Sequence, residues 1–113
     1  MLDETSPDGV EMWSTPAGSW AYLLNGVETS HTSVELWKWH ITGSDTYRSA
    51  PADAPDSMVT VLQGVLRATS AVADLRVTEG ASATLPSTSP VTFGTASDAV
   101  DFLWVVTVPR RPA

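Results

Sequence analysis

Two histidines, a few carboxylates and five tryptophans are the side chains here with the chemistry to bind or react. His31 sits in a polar turn (ETSHTS). His40 follows nine residues later on an aromatic strand. A transition metal held by imidazoles and a carboxylate needs three or four such groups converging. Two histidines and no cysteine do not supply that set. Asp53 and Asp56 carry the right atoms for a hard cation, but a loop reading APADAPD is first of all a solvated one. Asp98 and Asp101 flank a strand start and read as loop solvation. No Gly-x-Ser-x-Gly elbow is present, neither histidine has a triad partner in sequence, and no glycine-rich phosphate loop occurs. A catalytic step would fall to Glu35 or Asp53 as general base. Nothing nearby activates either one, so no catalytic residue and no metal ligand is expected.

The totals narrow the classes further. The 113 residues suffice for one domain with a single core. Hydrophobic residues make up 42%, as in a globular protein. No apolar run approaches the roughly 18 residues of a membrane helix, and residues 1–7 are too acidic for a secretory signal. The absence of cysteine removes any disulfide framework. A cytoplasmic protein without cofactor is expected. Six basic against thirteen acidic residues give a net charge of −7. Direct nucleic acid contact, which draws on clustered Lys and Arg, is not expected. The only adjacent basic pair is Arg110–Arg111.

The elements that must position these side chains read as strands. Residues 20–24 (WAYLL), 34–41 (VELWKWHI), 58–62 (MVTVL), 65–68, 74–77, 83–85, 91–93 and 102–108 (FLWVVTV) are short and rich in β-branched and aromatic residues. Turn signals fall between them at Asn25-Gly26, Gly43-Ser44-Asp45, Gln63-Gly64, Glu79-Gly80 and Gly94. No segment carries a helical stripe. Residues 1–12 are read as an acidic arm or a first edge strand, 50–56 as a loop and 109–113 as a tail. Alternation puts Trp37, Trp39 and Ile41 on one face of their strand, opposite Leu36, Lys38 and His40. It also puts Ser57, Val59 and Val61 on one face. Many short strands at this spacing predict an all-β sandwich or barrel in one domain over 1–113.

Gly80, five intervening residues and then Pro86, together with the VELWKWHITGSDTY passage, the strand MVTVLQGVLRA and the closing VDFLWVV, resemble the cupin superfamily. More narrowly, they resemble the C-terminal cupin half of XRE-type helix-turn-helix transcription regulators. The resemblance covers residues 13–108 and implies a small cupin-like β-barrel, a double-stranded β-helix or jelly-roll. The same resemblance implies a metal site that this chain lacks. The family's Glu position falls on Ser57, its first His positions fall near Ser49, Pro51 or Asp53, its second-motif His falls on Val91 after Pro90, and its Asn position falls near Thr95.

A cupin mouth without charged ligands becomes an apolar, aromatic pocket of the kind small organic molecules use. The expected ligand pocket is Trp37, Trp39, Ser57, Val59, Val91, Phe93 and Trp104. The expected function is a metal-free small-molecule-binding and oligomerisation domain, a sensing module related to transcription regulators. Its expected partners are a small, largely apolar organic ligand and a second copy in a homodimer. A ligand stacked on Trp37 or Trp39 is expected to order the 49–56 loop. The alternatives are a cupin-type isomerase, lyase or dioxygenase, and a purely structural dimer module with a filled barrel.

Overall fold

Strand-forming sequence and glycine turns produce two antiparallel sheets. The computed structural model describes residues 9–109. The chain runs β1 (Val10–Ser14), β2 (Trp20–Glu28), β3 (Thr32–Thr42), β4 (Tyr47–Arg48), β5 (Ser57–Gln63), β6 (Leu66–Thr69), β7 (Asp74–Val77), β8 (Ser82–Leu85), β9 (Thr92–Thr95) and β10 (Ala99–Pro109). The larger sheet has the order β1-β2-β3-β10-β5-β8, and the smaller β4-β9-β6-β7. Among the described residues there is no helix, and so none long and apolar enough to cross a membrane. At the edge of the larger sheet β1 runs Val10–Ser14, overlapping only residues 10–12 of the segment read as an arm or first edge strand. The first eight residues, the tail beyond Pro109 and the Arg110–Arg111 pair lie outside the described residues.

The longest pairing joins β3 to β10, from Thr42 against Ala99 to Thr32 against Pro109. It places Trp39 opposite Phe102 and Trp37 opposite Trp104. Strand β10 also pairs β5, with Val59 opposite Trp104. The inward residues of all three strands meet the smaller sheet through one cluster. Trp39 stacks on Phe102 with centroids 6.0 Å apart and planes 4° apart. Phe93, from the smaller sheet, touches Trp39 at 6.1 Å and Phe102 at 5.4 Å. Ile41, Val59, Val61, Leu66, Ala68 and Val100 complete the buried centre. Such sheet-on-sheet packing is what alternating strands require.

Two turn signals behave otherwise than expected. Asn25-Gly26 lies inside β2, not at a hairpin turn. A type I′ turn there needs positive φ at both central residues, and Gly26 is not among the positive-φ glycines. The sequence instead forms a register shift between Leu23 and Asn25. The reversal comes later, where the Thr29 hydroxyl accepts from the backbone N–H of His31 and Thr32. Gly94 likewise lies within β9. By contrast Gly64, between β5 and β6, has φ +83° and is closely covered. A Cβ there would lie 2.2 Å from the Ala99 carbonyl oxygen.

A polar clasp closes one end. Thr15 Oγ1 and Ser19 Oγ donate to Asp45 Oδ2 at 2.5 and 2.6 Å. These hydroxyls, Ser19 first, hold the Asp45 carboxyl below its ordinary value. Ser19 also accepts from the Thr42 N–H. The β1–β2 turn and the β3–β4 turn are thereby tied together.

Candidate functional site

At the other end the sheets leave a cavity of about 340 Å³. Its walls come from both. Trp37 and Trp104 are cross-strand partners in the larger sheet, and Tyr47 and Phe93 are partners in the smaller. Ser57, Val91, Leu85 and Val106 fill the spaces between these rings. Ala50, Pro51 and Val108 are exposed at its rim.

Strand parity explains the lining. Glu35, Trp37 and Trp39 share the inward face of β3. Trp39 is deepest, at 1% exposure, and Trp37 and Glu35 lie progressively nearer the open end. The Trp37 indole Nε1 donates to Glu35 Oε1 at 3.1 Å. Trp104 Nε1 donates to Ser57 Oγ at 2.9 Å. Phe93 and Trp104 pack in a T-shaped arrangement, with centroids 5.3 Å apart and planes at 76°.

Five of the seven expected pocket residues therefore line the cavity: Trp37, Ser57, Val91, Phe93 and Trp104. Trp39 and Val59 do not. Both point inward as expected but sit one step deeper, in the packed core, each with 1% exposure. Trp39 backs the cavity instead, touching Trp37, Tyr47, Phe93 and Trp104. Its Nε1 is buried without a hydrogen-bond partner. Glu35 and Tyr47 were not expected in the lining. The parity of β3 carries the signal for Glu35. Nothing in the sequence distinguishes Tyr47, because β4 is only two residues long.

The rim loop is tied at several points. Ser49 exchanges hydrogen bonds with Val91, its N–H donating to the carbonyl and its Oγ accepting from the N–H. Ala52 N–H donates to the Ser87 carbonyl, and Ser87 Oγ donates to the Pro55 carbonyl. Residues 49–55 are thus pinned to 87–91.

The positions where the resemblance implies metal ligands do not fit a metal. The Ser57 hydroxyl is engaged by an indole, and Val91 presents an apolar side chain at 3% exposure. Asp53 is exposed and does not line the cavity. Thr95 bonds Val65 and Ser97. Among the described residues, no three of His, Asp and Glu converge on a point. His40 lies on the outer face of the larger sheet. There it stacks on Trp20 and bonds Asp101 at 2.7 Å. Asp101 is thus a strand residue with a specific partner, not a solvated loop residue.

No protein-family model and no curated protein matches the chain. Its backbone is similar to several solved structures. An HTH_3-family transcriptional regulator from Vibrio cholerae aligns with TM-score 0.69 and 17% identity, over 81% of this chain and 52% of that one. The chain spans about half the length of that regulator. A cupin superfamily protein from Desulfitobacterium hafniense aligns at 0.66 and 9%, over 86% and 84%. The Cupin_2 domain of an XRE-family transcriptional regulator from Enterobacter cloacae aligns at 0.59 and 15%, over 69% and 83%. Two apposed antiparallel sheets, glycine turns at Gly43, Gly64 and Gly80, and this set of neighbours together identify the architecture: the chain has the cupin fold.

Proposed function

We propose that this chain is a small-molecule-binding module of the cupin type, a ligand sensor related to transcription regulators, which takes a small, largely apolar organic ligand without a metal. The observation that carries the reading is the aromatic cavity. Two pairs of cross-strand aromatics, one pair from each sheet, surround about 340 Å³. That is the low end of the range for small-molecule sites. The chemistry present suits binding better than turnover, since the described lining offers hydroxyls and one carboxylate but no imidazole or thiol. Ligand bound against Trp37 and Trp104 would press on the 49–55 rim segment, whose ties to Ser87 and Val91 carry the change into residues 87–91. In a longer regulator such a rim would bias the arrangement of attached domains.

The test is a titration of ¹⁵N-labelled protein with 2-phenylethanol, reading the indole N–H resonances. Trp37 and Trp104 should shift, with a Kd on the order of 1 mM or tighter. Trp20, held on the outer face against His40, is the internal control. Val91→Phe, which fills the cavity, should abolish the shifts. Equal movement of all five indoles, or of none, would refute the reading.

A second reading, self-association, is favoured by the outer face of the larger sheet. Register places Leu36, Val105 and Met58 in one row across β3, β10 and β5. Met58 is 55% exposed and Leu62 43% exposed. A two-fold dimer would set this row against itself. Light scattering should then give twice the chain mass, and Met58→Lys should halve it. A monomer for the unmutated chain would remove this reading.

A further inference from the structure

Among the described residues, the cavity lining combines four aromatic rings with one carboxylate and no cation. Trp37, Tyr47, Phe93 and Trp104 supply the rings, and Glu35 supplies the charge. No Lys, Arg or His is among the described lining residues. The Trp37 indole takes one of the roughly four lone-pair sites of that carboxylate. The others remain to be satisfied when a ligand displaces water from the cavity.

We infer that the ligand of this cavity is an organic ammonium ion, with Glu35 as its counter-charge and Trp37 and Trp104 as its cation–π partners. This deepens the binding-module reading above and rests on it. Three physical terms point the same way. A neutral ligand that covers Glu35 strips water from a charge and returns at most a hydrogen bond, with no counter-charge. An anion adds direct repulsion at short range. A cation offsets the desolvation and gains from the negative faces of the indoles, most strongly when water is excluded. An alkylated ammonium is also mostly hydrocarbon at its surface, so the apolar lining formed by Val91, Leu85 and Val106 suits its methyl groups. The position of Glu35 fits the role. It lies two residues before Trp37 on the same face of β3 and opposite Val106 of β10, so the charge stands beside the indole and not across the cavity from it.

Three probes of the same shape and different charge test the inference. Choline is the cation, 3,3-dimethylbutan-1-ol its neutral isostere, and 3,3-dimethylbutanoate the anion. Binding is read from the Trp37 and Trp104 indole resonances. Choline should bind at least tenfold more tightly than the neutral alcohol, and the anion should not bind. Glu35→Gln keeps the shape and the hydrogen bond from Trp37. It should weaken choline at least fivefold and change the neutral alcohol less than twofold. The charge series on the unmutated protein does not depend on the variant's folding. If the neutral alcohol binds as tightly as choline, the ammonium inference is overturned while the cavity reading stands. If 2-phenylethanol and all three probes leave both indoles unmoved, the two fall together. If choline is preferred equally by the Gln variant, Glu35 is not its counter-charge and the inference fails in that form.

Discussion

The hydrogen bond from Trp104 to Ser57 holds the cavity wall, and its strength can be measured by a double-mutant cycle. Ser57 is 3% exposed, and its Oγ is 2.9 Å from the indole nitrogen. Ser57→Ala deletes the acceptor and leaves the indole N–H facing the cavity. A fully buried orphan donor costs about 1–3 kcal/mol. Trp104 is only half-buried, and cavity water can replace the lost partner, so the lower end applies, about 1 kcal/mol. Trp104→Phe removes the donor and part of the ring, at roughly 1–2 kcal/mol. In the double variant neither polar group is left unpaired. It should therefore be about 1 kcal/mol more stable than the sum of the single effects implies. Urea unfolding followed by circular dichroism reads this directly. With a slope of about 1–3 kcal/mol/M for a chain of this size, the non-additivity moves the midpoint by about 0.3–1 M. The choline titration adds a functional arm. Ser57→Ala frees the Trp104 ring to turn, so choline affinity should fall severalfold. Additivity within about 0.3 kcal/mol would show that the hydrogen bond contributes nothing measurable. It would also refute the claim that Ser57 fixes the indole.

The remaining predictions concern the turns, the polar clasp and metal content. Gly64→Ala meets both a positive φ and a Cβ contact of 2.2 Å with the Ala99 carbonyl, and should cost about 2 kcal/mol or more. Gly80→Ala has a similar φ but open space around its Cβ, so it should cost less. Equal losses in thermal melts would assign the whole effect to φ. Asp45 is held below its ordinary value of 3.8 by the Ser19 and Thr15 hydroxyls. Its folded-state value is depressed, so its stabilisation is present above pH 4 and is lost as pH falls through the folded-state value. Asp45→Asn should flatten the acid limb of a stability–pH curve, and an unchanged limb would show that the clasp plays no part in it. Elemental analysis of the purified protein should find no stoichiometric transition metal. About one metal per chain would overturn the metal-free reading.

What could be read from the sequence follows from how local each feature is. Alternation along a strand is set within the strand, so the inward faces of 37/39/41 and 57/59/61 were legible. Depth along the barrel is not local. Trp37 and Trp39 have the same parity, yet one lines the cavity and the other fills the core, and only the pairing of β3 with β10 and the position of Phe93 decide between them. The same limit hid Tyr47, whose inward position depends on two residues pairing with β9. His40 and Asp101 are 61 residues apart, and their contact rests on the β3–β10 register. The Asn25-Gly26 signal misled for a related reason. A favourable turn dipeptide is overridden when both flanking segments can continue a long strand against β3.

The cavity itself argues against a filled, purely structural barrel. A cavity of about 340 Å³ leaves its aromatic walls without the packing partners that a filled core would give them. A chain with only a structural role would gain by closing it, and the means are simple: a larger side chain at Val91 or Ala52 would reach into the space. Water can meet the hydroxyls and the Glu35 carboxylate of the lining, but much of the wall is indole, phenyl and aliphatic carbon, and the two indole N–H groups are already committed, to Glu35 and to Ser57. Those same bonds fix the rings in place before any ligand arrives, which lowers the entropy lost on binding. A largely apolar cavity walled by rings already held in position suits an organic guest. Glu35 has no cationic partner among the described residues, and it sets the sign that guest should carry.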